Sequence, residues 1–300
     1  MLPYFRRLES DADFGAPLHG TDGPLPVIRW RRDELLPLQR AFLAAAEARG
    51  FPWTDDHNDP DSTGIGPLPM NRCAGTRIST ALSYLPPALR PSNLSVWANC
   101  QAVRVSIEQG RAGGVEFIRN GRLETVAGAR VTLCAGALAS PMLLQRSGIG
   151  PAELLSELGL RCVVDNRFVG ENLMDHPGSQ ILVAPRDAAA CDPTLPAYQL
   201  AIRWSSATGV PNDMLIGLMN YWNTNYDPRL RAAAGMDHVF AVTCGVHQPF
   251  SRGRIRLRSA DPAVSPDIDF NMLSDARDEA RLLEGLRPLS TRKADAGRKR

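Results

Sequence analysis

Residues 131–136, Val131-Thr132-Leu133-Cys134-Ala135-Gly136, are almost continuously apolar and end in two small side chains. A half-exposed strand alternates apolar and polar residues, whereas one covered on both faces does not. The segment therefore predicts a short strand inside an α/β layer. The residues downstream agree. Ser140-Pro141 offers a capping hydroxyl and a proline suited to a first helical position, and Met142, Leu143 and Leu144 carry that helix toward Gly148. Gly150-Pro151 opens a second short helix that Gly159 can end, before an apolar stretch from Cys162 to Val164. Strand, small-residue turn, two helices and strand is the order of an α/β fold.

Upstream the period changes to two. Val103, Val105 and Ile107 alternate with polar neighbours, as do Val115 and Phe117, and Asn120-Gly121 suits a two-residue hairpin turn. A β-meander over 95–127 is predicted. Residues 33–50 read as a helix capped by Asp33, with Leu35, Leu38, Phe42 and Ala46 on one face and Gly50 at its end. Pro52, Pro60, Pro67, Pro69, Pro86, Pro87 and Pro91 mark 51–92 as loop-rich. The chain's 25 glycines and 24 prolines imply many turns throughout. Residues 186–238 carry little pattern. Ile255 and Leu257 alternate with Arg254, Arg256 and Arg258, which predicts a strand with its arginines in water.

Several classes of function drop out. No apolar run approaches the ~20 residues of a membrane span, and MLPYFRRLES lacks the apolar core of a secretory signal. Six cysteines without a C-x-x-C pair argue against zinc ribbons and thioredoxin-like motifs, so reduced thiols and a cytoplasmic location are expected. The net charge of +2 belongs to the end of the chain. Residues 292–300 hold Arg292, Lys293, Arg298, Lys299 and Arg300 against the single acid Asp295, and the rest is slightly acidic. A solvated tail is the commoner meaning of such a run, and no basic stripe lies elsewhere, so no nucleic-acid partner is expected.

Chemistry concentrates at the small-residue turn. A strand ending in Ala135-Gly136 before a helix lets a ligand approach the backbone, and free N–H groups at a helix start favour an anion such as a phosphate. Gly148-x-Gly150 is no dinucleotide fingerprint, because Glu153 stands at the third glycine and a helix precedes it. The run Asp55-Asp56-His57-Asn58-Asp59-Pro60-Asp61 is dense in ligand types, but Pro60 breaks the calcium-loop frame. It reads as a polar loop, and no metal site is assigned. Without H-x-x-x-H or G-x-S-x-G, zinc- and serine-hydrolase readings lack support. The residues alone reach an α/β protein with a nucleotide-type turn.

These residues also resemble a family, the glucose-methanol-choline (GMC) flavoprotein oxidoreductases. GALASPMLLQRSGIG, residues 136–150, is similar to the family's second signature. It continues as Pro151-Ala152-Glu153, ELG at 157–159, and VGENLMDHPG at 169–178, which resembles the family's G-x-N-L-x-D-H segment. LPYFRRLE (2–9), HGTDGPLPV (19–27), DPDSTGIGPLP (59–69) and the surroundings of Asn71 and Arg77 resemble the choline- and alcohol-dehydrogenase branch. SRGRIRLRSADP (251–262) and PDIDFN (266–271) resemble its substrate domain. The likeness spans residues 2–287.

The resemblance implies an α/β fold: an incomplete FAD/NAD(P)-binding Rossmann-like domain with a β-meander, plus part of a mixed α+β substrate domain. The implied regions are 1–177 on the FAD side, 178–287 on the substrate side, and an off-pattern basic tail at 288–300. It implies FAD as cofactor and a small alcohol, choline-like, that passes hydride to the flavin. By the same resemblance Ala135 and Gly136 fall where the family's backbone lies against FAD. Ala102, in Q-A-V-R-V, stands where a valine usually contacts the adenine through its main chain, a contact that alanine preserves. Asn172, Asp175 and His176 keep the family pattern and are expected to fix a turn; His176 is not the family's catalytic histidine. The family's opening G-x-G-x-x-G and its catalytic histidine, with a His or Asn partner, match nothing in these 300 residues. No catalytic residue is therefore assigned, and an inactive or incomplete enzyme is expected. The alternatives are a non-catalytic gene remnant and an interaction protein using its basic tail.

Overall fold

The computed structural model describes residues 1–90 and 93–290. They form two compact units that do not follow chain order. Of the described residues, one holds 1–90, 93–94, 176–248 and 277–290; the other holds 95–175 and 249–276. The basic tail at 292–300 lies outside the described residues.

The second unit is built on the predicted meander. Strands Cys100–Glu108, Arg111–Arg119 and Arg122–Ala127 pair antiparallel in that order. Val105 stands opposite Val115, Ala102 opposite Phe117, and Arg119 opposite Arg122 across the Asn120-Gly121 turn. Both turn residues have positive φ, 52° and 74°, the mirror-image geometry that matches strand twist. Val105 and Phe117 are buried on one face, and helix Gly136–Arg146 packs against the first strand.

Gln145 on that helix ties three segments together. Its amide donates to the carbonyls of Val169 and Ile255, and its carbonyl accepts from the Leu257 N–H. Strand Gly253–Arg256 lies between Glu171–Leu173 and Asp267–Asp269. Ile255 and Leu257 are buried while Arg254, Arg256 and Arg258 are exposed, as their alternation predicts. Helix Ala152–Glu157 ends before Gly159, and Val164–Asp165 pairs parallel with Ile149–Gly150.

Three expectations are corrected. Residues 131–135 form no ladder with any described strand, Ala135 leaves extended geometry at ψ 15°, and Thr132, Cys134 and Ala135 are exposed. Continuous apolarity marks a segment suited to double coverage, but a strand exists only where a neighbour takes its hydrogen bonds. The following helix starts at Gly136, with Pro141 inside it. Ser140 lies inside the helix, its Oγ accepting the N–H of Ala135 before the helix at 3.1 Å and leaving the first helical N–H groups without a side-chain cap. The first long helix is Pro37–Glu47, after a single 3₁₀ turn at Arg32–Glu34. Pro37 sets the start, since it pushes Leu36 out of helical geometry (ψ 155°). Its buried face is therefore Gln39, Leu43 and Ala46, with Leu35 just before it, and Asp33 is exposed.

The first unit carries a five-stranded antiparallel sheet ordered Gly178–Val183, His238–Val246, Met214–Asn223, Leu200–Trp204, Gly64–Pro67. Ile65, Leu200, Ile202, Met214, Ile216, Cys244 and Val246 form its core with Leu35, Leu43, Ala46 and Leu282. The weakly patterned stretch 186–238 holds two of these strands. Leu200, Ala201 and Ile202 are all buried, as are Ile216, Gly217 and Leu218, so strict alternation is lost. Helix Ala276–Ser290 approaches so closely at Gly285 that a Cβ would lie 2.4 Å from Cys244 Sγ.

Candidate cofactor site

The turn before helix Gly136–Arg146 is open. Gly136 has φ +77°, a left-handed conformation that favours glycine, and a Cβ there would meet nothing within 4 Å. Ala135 is the N-cap and supplies no side-chain cap. The first N–H groups of a helix have no carbonyl one turn earlier to bond. Here Gly136, Ala137 and Leu138, which carry them, are exposed. Backbone donors reachable from solvent at the start of an eleven-residue helix can hold a negatively charged group.

Ala135 and Gly136 are brought together by adjacency. Ala102 is exposed on strand Cys100–Glu108, at a register shift opposite Phe117, on the strand this helix packs against. An apolar cavity of about 260 Å³, lined by Val105, Ile107, Val131, Leu133, Leu144 and Val163, lies in the same unit. Thus the segment expected to be a buried strand contributes its two half-buried side chains, Val131 and Leu133, to a cavity wall.

The other unit holds a buried charge network that sequence reasoning missed. His19 Nδ1 lies 3.1 Å from Glu9 and 3.0 Å from Asp11, and its Nε2 lies 2.8 Å from Asp56. Arg29 donates from Nη1 to both Asp11 oxygens, at 2.9 and 2.8 Å, and from Nη2 to Asp56 at 2.7 Å. Burial alone would push the Asp56 carboxyl up. The Asn58 N–H, His19 and Arg29 outweigh it and hold the carboxyl below its ordinary value. The centre of the acidic run at 55–61 is therefore a buried structural anchor rather than a solvated loop: Asp56 and His57 are both buried. Glu9, Asp11 and His19 lie close enough together to hold a metal ion, but the Arg29 guanidinium already occupies Asp11 bidentately.

Two further histidines stack. The rings of His176 and His247 are 4.3 Å apart and within 7° of parallel. The pairing of Gly178 with Gly245, extended two residues, sets them opposite each other. Burial, then the neighbouring His176, pushes His247 down to about 4. His57, also driven down by burial, shares its Nε2 proton between the carbonyls of Gly66 and Ala201, at 3.1 and 3.0 Å. No motif spacing signals these contacts.

Comparison with known proteins decides the family. The N-terminal family model for GMC oxidoreductases matches residues 1–178, and the C-terminal one matches 249–297. The chain belongs to the GMC oxidoreductases. Both the open turn and the meander of this GMC chain fall within the N-terminal match. An uncharacterized GMC-type oxidoreductase of Rhodococcus erythropolis is 36% identical over 95% of the chain and 56% of its own length. An oxygen-dependent choline dehydrogenase of Photobacterium profundum is 35% identical over 93% of the chain and 52% of its own length. Among solved structures, pyridoxine 4-oxidase from Mesorbium loti superimposes with a TM-score of 0.85 at 29% identity, over 97% of this chain and 58% of that one. The chain spans about half the length of the curated relatives it matches.

Proposed function

We propose that this GMC chain serves FAD-dependent oxidation of a CH–OH donor, an alcohol or choline-like molecule that passes hydride to the flavin. The single observation that carries the reading is the uncapped, solvent-reachable helix start at Gly136 within the family-matched segment. The residues there fit a dinucleotide. Positive φ and empty space at Gly136 let a ligand lie against the backbone, and the first-turn N–H groups suit its negative charge. FAD, when bound, supplies the hydride acceptor. Ala135 and Gly136 would line its path, and the Ala102 main chain would position its adenine side. Residues 1–177 would belong to the FAD side and 178–287 to the substrate side. Choline dehydrogenase and 5-(hydroxymethyl)furfural oxidase among the relatives support the substrate class.

No residue of the chain is assigned as proton acceptor. His19 and His57 are committed to internal bonds, and His247 is stacked and shielded. The 300 residues alone are therefore proposed to turn over slowly, since losing a general base commonly costs a factor of ~10²–10⁴. The six free cysteines fit a reducing, cytoplasmic setting, and among the described residues no helix is long and apolar enough to cross a membrane.

The test is to purify residues 1–300, add FAD, measure retained flavin by absorbance, and assay choline and simple alcohols with an artificial electron acceptor. We expect weak flavin retention that Gly136→Val lowers at least tenfold, and little turnover. Unchanged retention in Gly136→Val would overturn the turn as the flavin contact. Robust turnover by the unaltered chain would overturn the expectation of slow turnover.

A further inference from the structure

Helix Gly136–Arg146 ends on an arginine that is only 7 % exposed. Among the described residues its guanidinium has no hydrogen-bond partner at Nε and no carboxylate within salt-bridge distance. The other deeply buried guanidiniums among the described residues are closed by acids: Arg29 by Asp11 and Asp56, Arg281 by Asp213 and Asp278. Arg146 breaks that rule. Burial pushes its pKa down, with Asp261 as the one acid acting against this from a distance. The helix C-terminus offers it only a general field. The Leu143, Leu144 and Gln145 carbonyls already accept from Ser147 and Gly148.

Arg146 lines a cavity of about 350 Å³ with Arg104, Glu108, Glu116, Ser147 and Arg161. Glu116 is taken by Arg104 at 2.9 Å. Arg161, exposed, reaches the same wall without a salt bridge to any described acid. That leaves two uncommitted arginines against Glu108. A fork of guanidinium donors, that of Arg146 largely buried, matches a planar carboxylate or a phosphate bidentately. The cavity volume admits a small molecule. Ten residues separate Arg146 from Gly136, about 15 Å along the helix axis, so this place is distinct from the turn at the other end.

We infer that the cavity at the C-terminal end of helix Gly136–Arg146 binds a small anion, its carboxylate or phosphate group gripped by Arg146 with Arg161 beside it. Anion capture there requires neither flavin binding nor turnover.

Thermal melts and calorimetric titrations of the full 300-residue chain with inorganic phosphate and with acetate, against chloride at matched ionic strength, test it. A saturable rise in Tm with phosphate, acetate or both beyond chloride is expected, and which arm responds names the anion class. Arg146→Gln should weaken the responding anion at least tenfold, and Arg104→Gln, already paired, less than twofold. In the unsubstituted chain that anion should also slow 2,3-butanedione modification of Arg146, mapped by mass spectrometry, a readout that does not require the variant to fold. A response no greater than chloride's, one retained in Arg146→Gln, or unprotected Arg146 would overturn the inference.

Discussion

Arg29 and Arg146 are nearly equally buried, 4% and 7% exposed, in different units of one chain, and their surroundings are opposite. Arg29 meets Asp11 and Asp56 at hydrogen-bond distance, inside a network that also clamps His19. Arg146 meets a cavity. The first arrangement is neutralised: both terminal nitrogens of Arg29 meet carboxylates, so it stiffens the fold, although its Nε, like that of Arg146, has no hydrogen-bond partner. The second leaves charge-assisted donors unspent. Burial alone does not tell an anchor from a site; the presence or absence of a neutralising carboxylate does.

Removing each guanidinium should separate the two most sharply. Arg29→Leu strands Asp11 and Asp56 in the interior and should cost about 3–5 kcal/mol in urea melts, the usual penalty for breaking a buried pair. Arg146→Leu, without added anion, should be neutral or stabilising, because an uncompensated buried charge is replaced by an apolar side chain. A large loss in Arg146→Leu would mean that a partner already closes it. The next contrast sets the complete five-stranded sheet against the unpaired segment. Ile202→Ala, 4% exposed in that sheet, should cost about 2–5 kcal/mol. Leu133→Ala, half-buried with no ladder, should cost less than about 1 kcal/mol in the same melts.

A smaller effect comes from the stacked histidines. His247 is held near 4 in the fold, below its ordinary 6.5, so the unfolded chain binds that proton more readily. The stability this residue contributes is full above pH 6.5 and is lost as pH falls toward 4, on the order of 1–2 kcal/mol after allowing for its partial exposure. His247→Asn should flatten that part of the stability–pH curve. A local change is expected at the hairpin: Gly121→Ala places a Cβ at φ +74° and should cost about 1 kcal/mol, read from the denaturation midpoint.

Local backbone physics made part of this protein legible before any coordinates. Asn120-Gly121 could be read as a turn because its geometry depends on those two residues alone. Val105, Phe117, Ile255 and Leu257 revealed their buried faces because alternation is a one-dimensional signal. The signature at 136–150 carried the family for the same reason: it is a contiguous string. Other features needed partners distant in sequence. Whether 131–135 forms a strand depends on a neighbour's hydrogen bonds. The closure of Asp56 depends on His19 and Arg29, which lie 37 and 27 residues upstream. The helix that Ser140-Pro141 placed too late begins where Gly136 can take positive φ. Sequence by itself determined turns, strand faces and kinship, because each is written in neighbouring residues. Tertiary structure decided which strands pair, which charges are neutralised and which arginine is left open, because burial and hydrogen bonding are settled by what distant segments bring to the same place.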